Sequence, residues 1–307
     1  MCRRRSLIPL LAVTAALLAA CGSGSDVAEG ACAPGWPTTI VVGDAQFTPV
    51  VVSADLGVGP TEFTLGLLDR DQNSIGGPDT AVDVRFFDLD RSQTEPAGGG
   101  PASFFWAIPD VRGMYSAPVD LDAAGTWGAE VSVHRPGAAP MCEKVRFSVQ
   151  EQPQAPAVGA AAPHSDTRTA ADAVGGNLAT ITSDPNPDPS LYRYSVAELL
   201  DAHRPFVVAF ATPKFCTSRT CGPTVDQIKQ VAATHPNCTY VHVEIFEDLD
   251  SPVPKKYVPA VTEWNLPSEP WVFAVGADGR VAARFEGAMS DQSLRDAVEA
   301  VCPEAAG

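Results

Sequence analysis

Positive charge is scarce in this 307-residue chain, where 21 Lys and Arg stand against 37 Asp and Glu for a formal net charge of −16. Residues 1–20 hold three of the Arg and no acid, so the rest carries 18 bases against 37 acids, a balance of −19. Such a surface repels phosphate backbones and anionic headgroups, which argues against nucleic acid as a partner and against docking on lipid by charge alone. Solubility is reason enough for it. Histidine and methionine are also few, five and four in all. Between residues 32 and 149, His134 stands alone and Met114 and Met141 are isolated, so the convergent His and Met side chains that a copper site needs are missing there. No His lies between Pro252 and Glu269.

What is present begins at the N-terminus. Arg3-Arg4-Arg5 precedes an apolar run from Leu7 to Ala20, which is too short to span a bilayer and reads as the core of an export signal. It ends in Leu18-Ala19-Ala20-Cys21-Gly22, which resembles a bacterial lipobox, in which the Cys becomes the lipid-bearing first residue. The Arg4-Arg5-Ser6-Leu7-Ile8 run is also compatible with twin-arginine export. Residues 1–20 are therefore expected to be a lipoprotein signal peptide and residues 21–31 a flexible Gly/Ser tether. Lipid on Cys21 would hold the protein at the extracytoplasmic face of the cell membrane. Cys2 leaves with the signal and Cys21 takes lipid, so six of eight cysteines remain, in an oxidising compartment.

From residue 32 to 149 the text consists of short β-like runs separated by turn residues. The candidates are Thr39 to Val42, Val50 to Val52, Phe63 to Leu68, Val82 to Phe87, Phe104 to Trp106, Val131 to Val133 and Val145 to Val149. About seven strands without helical patterning predict an all-β immunoglobulin-like sandwich, a spacer or partner-binding module. Residues 150–177 are rich in Pro, Ala and Gly and read as a linker or extended lead-in. The Asp-Pro run Asp184 to Pro189 lacks calcium-ligand spacing, and its prolines account for an extended segment. Ser195 and Glu198 have the spacing of a capping box, and Ser290 caps a last helix carrying Leu294, Val298 and Val301.

The chemistry converges on residues 204–223. An apolar run, Phe206 to Phe210, leads through Pro213-Lys214-Phe215 to Cys216 and Cys221. Gly222-Pro223 follows, and then Val225, Ile228 and Val231 at helical spacing. This order of strand, turn, cysteine and helix resembles the active-site crossing of the thioredoxin superfamily. Ser268-Glu269-Pro270-Trp271, Gly276-Ala277-Asp278-Gly279 and Arg280-Val281 resemble its cis-proline loop and terminal hairpin. The resemblance covers roughly residues 155–302 and implies an α/β thioredoxin-like domain over residues 178–307, with Pro270 as the cis-proline facing the cysteines. It also implies the bonds Cys216–Cys221 and Cys238–Cys302, while Cys32 before the first strand of residues 32–149 and Cys142 before the last point to a bridge tying that domain's two ends; this is one of fifteen pairings that six cysteines allow.

Thioredoxins have two residues between their cysteines and this chain has four. Five residues of helix turn through roughly 500°, about 140° net, so Cys216 belongs in the loop and Cys221 near the helix start. Cys216 is then the exposed attacking thiol and Cys221 the resolving one, with Lys214 and Arg219 as nearby cations. The register Cys221-Gly222-Pro223-Thr224 would instead make Cys221 the nucleophile. Glu244, on a strand expected over residues 240–246, is a candidate buried proton carrier or an exposed edge residue.

The expectation is a membrane-anchored thiol–disulfide oxidoreductase that needs no cofactor or metal and acts on a protein thiol or disulfide. Three alternatives stay open. One is a binding lipoprotein whose disulfide is only structural. Another is a peroxidase, since the Cys216 to Cys221 spacing is similar to Q-type peroxiredoxins, although Pro213 stands where that family has a Thr. The third is a copper-chaperone-like protein.

Overall fold

The computed structural model describes residues 32–37, 45–250 and 256–303. The expected signal peptide, Cys21, the tether and the strand anticipated at Thr39 to Val42 lie outside them.

The first unit holds seven antiparallel strands, β1 Thr48–Val51, β2 Gly59–Leu68, β3 Ala81–Asp88, β4 Gly98–Ile108, β5 Arg112–Leu121, β6 Gly125–His134 and β7 Met141–Val149. They form one continuous sheet in the order β1-β2-β5-β4-β3-β6-β7. The sheet curls until its edges nearly meet. Gln150, just past β7, donates its N–H to Leu56 O at 2.9 Å and accepts from Val58 N–H at 3.0 Å. Alternating side chains fill the interior with Phe63, Leu65, Phe86, Tyr115, Trp127 and Val131, all fully buried. The segment that became β5 gives little strand signal in the sequence, because Pro118 and Asp120 interrupt its apolar alternation.

The second unit has four strands, β8 Phe206–Ala211, β9 Thr239–Glu244, β10 Trp271–Val275 and β11 Val281–Glu286, in the order β11-β10-β8-β9. Only β8 and β9 run parallel. Its helices are α1 Val196–Asp201, α2 Cys221–Thr234, α3 Pro259–Glu263 and α4 Asp291–Val301. Ser195 and Glu198 close the capping box on α1, and Ser290 Oγ accepts from Ser293 N–H at the start of α4. One face of the sheet buries Val207 and Ala209 against Ile228 and Val231 of α2 and Leu294 and Val298 of α4. The other buries Phe206, Val208 and Phe210 with Trp264 and Phe273.

Both halves of the expected fold class need correction. The first unit is a single near-closed sheet, not an immunoglobulin-like pair of packed sheets. The second does not make the chain an α/β thioredoxin-like protein, because the molecule is mostly β. A helical crossover between neighbouring parallel strands occurs once, at β8-α2-β9. Strands β10 and β11 form an antiparallel hairpin, and two of the four helices have only five or six residues. The helical spacing after Cys221 reported that one crossover and nothing wider.

Residues 150–177 make regular contacts despite their composition. Gly159 N–H donates to Val281 O at 2.7 Å, and Ala161 bridges Arg280, so the segment lines the free edge of β11. Asp55 joins the two units. Its carboxylate accepts from Gln154 N–H at 2.7 Å, Ala155 N–H at 2.9 Å and Arg284 Nη2 at 2.8 Å. The Asp55 and Arg284 side chains are 1% and 11% exposed, so removing one partner leaves a buried charge unmatched. Asp55→Ala should lower the unfolding free energy by about 3–5 kcal/mol. A urea midpoint close to that of the wild type would show that this junction does not hold in solution.

Candidate redox site

Strand β8 ends at Ala211 beside Glu244 of β9, and the chain then turns through Thr212 to Arg219 before α2 begins at Cys221. Two turns set the loop. Phe215 and Cys216 both donate their N–H groups to Thr212 O, at 3.2 and 3.1 Å. Arg219 adopts a left-handed φ of 64°, a conformation that costs a non-glycine residue about 1 kcal/mol.

Cys216 and Cys221 are disulfide-bonded with Cα atoms 6.0 Å apart. Cys216 is partly exposed and Cys221 fully buried. The Cys216 sulfur accepts from Cys221 N–H at 3.3 Å, the first amide of α2, and lies 3.1 Å from Ser218 Oγ. Ser218 Oγ is in turn 2.7 Å from Thr220 Oγ1. Free helix-start amides carry partial positive charge and favour an anionic sulfur. Here such an amide faces the Cys216 sulfur, with Cys221 buried behind it. The cation Lys214 sits over the Phe215 ring at 5.2 Å.

The other two disulfides lie far from this loop in sequence. Cys32–Cys142 fastens the segment before the first described strand to β7, and Cys238–Cys302 joins the turn before β9 to the end of α4. The three bonds are those expected from the sequence. Pro270 is buried, follows Glu269 through a cis peptide bond and immediately precedes β10. Its neighbours Ser268 and Glu269 share a cleft of about 560 Å³ with Ser218 and Thr220 of the disulfide loop. The far wall belongs to the first unit, where Val50, Val52, Leu68 and Met114 contribute apolar surface. Burial pushes the Glu269 carboxyl above its ordinary value.

Beneath the loop lies a buried polar cluster. Glu244 is 4% exposed; its Oε2 accepts from Ser183 N–H at 2.9 Å and from Ser183 Oγ at 2.5 Å, while Oε1 has no hydrogen-bond partner among the described residues. Ser183 Oγ is also 3.4 Å from Thr212 Oγ1 and accepts from Lys214 N–H at 3.3 Å, so it links Glu244 to the start of the disulfide loop. The sequence leaves open a buried or an exposed Glu244; it is buried. His242, two residues earlier, is 1% exposed, with Tyr192 Oη at 2.7 Å from Nδ1 and Ala211 O at 3.1 Å from Nε2. The carbonyl can only accept, which assigns the proton to Nε2 and makes Nδ1 the acceptor for the tyrosine. Ser183, Tyr192 and Thr212 carry no sequence pattern that marks them, because they meet only when three separate segments pack.

No family model matches the chain, and no curated protein matches it. Solved structures that overlap it in part include an engineered protein at 13% identity, over 34% of this chain and 20% of that one, with a TM-score of 0.22. A copper-bound variant of FetP from uropathogenic Escherichia coli strain F11 overlaps at 10% identity, over 33% of this chain and 97% of that one, with a TM-score of 0.21. The Lin-41 filamin domain overlaps at 11% identity, over 35% and 94%, with a TM-score of 0.20. Overlaps this shallow establish neither a shared fold nor a shared activity.

Burial holds the His242 pKa below its ordinary value, against the opposing pull of the Glu244 carboxylate. The ring stays neutral in the folded protein, whereas in the unfolded chain it takes a proton as pH falls below about 6.5. The unfolded state then binds more protons, so stability is complete above that pH and declines below it. Urea midpoints should therefore fall between pH 7 and pH 5, by at most about 1.4 kcal/mol per pH unit from this group. His242→Gln should flatten that slope, and an unchanged slope would remove the ring as its source.

Proposed function

We propose that this chain is an extracytoplasmic, membrane-anchored thiol–disulfide oxidoreductase working through Cys216 and Cys221. The single observation that carries the reading is the Cys216 sulfur on the first amide of α2, with Cys221 buried behind it. A bridge that only stapled the chain would gain little from closing so short a loop. The lipobox-like Cys21 supports the anchor, and the acidic surface suits a solvent-exposed domain that does not lie on anionic lipid.

In the reduced enzyme, the Cys216 thiolate attacks one sulfur of a substrate disulfide and forms a mixed disulfide, expelling a substrate thiolate that takes a proton from water. Cys221, as thiolate, then attacks the Cys216 sulfur, expels the second substrate thiolate and re-forms the Cys216–Cys221 bond. Two electrons pass from the enzyme pair to the substrate, and the reverse sequence oxidises a dithiol. The 560 Å³ cleft supports a polypeptide as the substrate, because it is lined by apolar residues and runs along the loop that separates the two cysteines.

Cys221→Ser should leave Cys216 as a lone nucleophile that accumulates mixed disulfides with exported proteins, whereas Cys216→Ser should accumulate far fewer. Mass spectrometry after acid quenching reads both. A folded wild-type protein whose Cys216–Cys221 bond resists reduction at about −300 mV would sink the catalytic reading and leave a structural bridge.

The cleft is tested separately at Gly66, which lines it and whose added Cβ would meet no atom within 4 Å. Gly66→Phe should slow exchange with a peptide disulfide about tenfold or more while leaving reduction by dithiothreitol within twofold of wild type. Equal rates with the peptide would show that substrates do not enter by the cleft.

A further inference from the structure

The redox loop is held from outside its own unit. Arg112, the first residue of β5, follows a hairpin tip at which Asp110 has a φ of 57° and Val111 is 69% exposed. Its Nη1 donates to Ser218 O at 3.1 Å, across 106 residues of sequence. Ser218 is the residue whose Oγ lies against the Cys216 sulfur and Thr220 Oγ1. The contact is not isolated. Phe105 and Ala107 of β4 and Met114 of β5 bury themselves with Ala288, which lies beyond β11 in the second unit. At the same boundary Glu286 accepts from Ala54 N–H and Asp55 N–H, each at 2.8 Å, while its other oxygen takes Ser268 Oγ at 2.8 Å. The β4–β5 hairpin is thus seated against the redox unit, with a guanidinium at its tip.

We propose that Arg112 is a positioning residue for the Cys216–Cys221 pair, so that the redox site is completed across the two units. This rests on the reading of that pair as redox-active. The hydrogen bond fixes the Ser218 peptide, and the Ser218 and Thr220 hydroxyls then hold the loop in the turn that places the Cys216 sulfur on the helix-start amide. The guanidinium also stays charged at every working pH, which puts a fixed positive charge on the loop that carries Cys216. The hydrogen bond is already made in the disulfide form, so the charge is what discriminates, and it favours the reduced, anionic pair. Arg112 is exposed, so its removal costs the fold little, and a purely structural role would leave the redox equilibrium unmoved. By reciprocity, whatever Arg112 contributes to the reduced pair, reduction returns to the contact between the units.

The test uses the detergent-solubilised full chain as wild type, Arg112→Ala and Arg112→Lys, equilibrated in glutathione buffers and read by thiol trapping and mass spectrometry. Urea midpoints confirm that all three are folded. The expected result is that Arg112→Ala shifts the equilibrium about tenfold toward the disulfide, equal to about 30 mV for a two-electron couple. Arg112→Lys, which keeps a charge and a donor, should fall within threefold of wild type. A reducible wild-type pair with an Arg112→Ala equilibrium within twofold of it would overturn the role of Arg112 and leave the oxidoreductase reading intact. Equal shifts in the Ala and Lys variants would overturn it as well. A wild-type pair that reduces only on unfolding would overturn both readings together.

Discussion

One buried carboxylate joins the two halves of this molecule. Asp55 receives two amides of the lead-in segment and the guanidinium of Arg284, which also stacks over Trp271 at 4.8 Å and donates to Ala155 O at 3.0 Å. A charge so nearly excluded from water is tolerable only when its oxygens are fully engaged, so the geometry around it is narrowly specified. With Asp55 in place, the outer face of β1 and β2 stands opposite the Glu269–Pro270 turn, and the space between becomes the cleft. Around it, Glu286 on the Ala54 and Asp55 amides and the apolar contact at Ala288 complete the junction.

The disulfide loop depends on a second balance. Four residues between cysteines cannot follow a helix and still close a bond, so the loop departs from helical geometry, with Arg219 in the left-handed region. The hydroxyls of Ser218 and Thr220 and the amide of Cys221 hold this departure at the sulfur itself. Below, Glu244 and His242 belong to a polar cluster that is costly to bury. Its worth lies in linking the ends of β8 and β9 to the segment around residues 182–184.

Much of the local structure was legible in advance. Phe206 to Phe210 reads as a buried strand because its residues are apolar and β-favouring throughout, and the helix after Cys221 shows itself in Val225, Ile228 and Val231. Ser195 with Glu198 and Ser290 announce their helices through capping chemistry that needs only neighbours a few residues away. The wider architecture is not legible in the sequence, for a definite reason. Alternating strands look the same whether their sheet pairs with another or curls on itself, and a local strand–helix signature such as that of residues 206–231 does not reveal how few such crossovers the chain contains. Strand β5 leaves little mark there, since its pairing partners, rather than its own composition, make Gly113 to Leu121 extended.

The sequence alone therefore determined the elements whose causes are local: strand and helix periodicity, caps, and the number and spacing of the cysteines. It also determined the acidic balance and the lipobox-like start. Tertiary structure decided everything that depends on distant segments meeting. It made one curled sheet out of seven strands and buried Glu244 beside Ser183. It also brought Arg112 to the carbonyl of Ser218. Period and propensity act over a few residues, whereas a contact spanning 106 residues exists only after burial has repaid the entropy of bringing its two ends together.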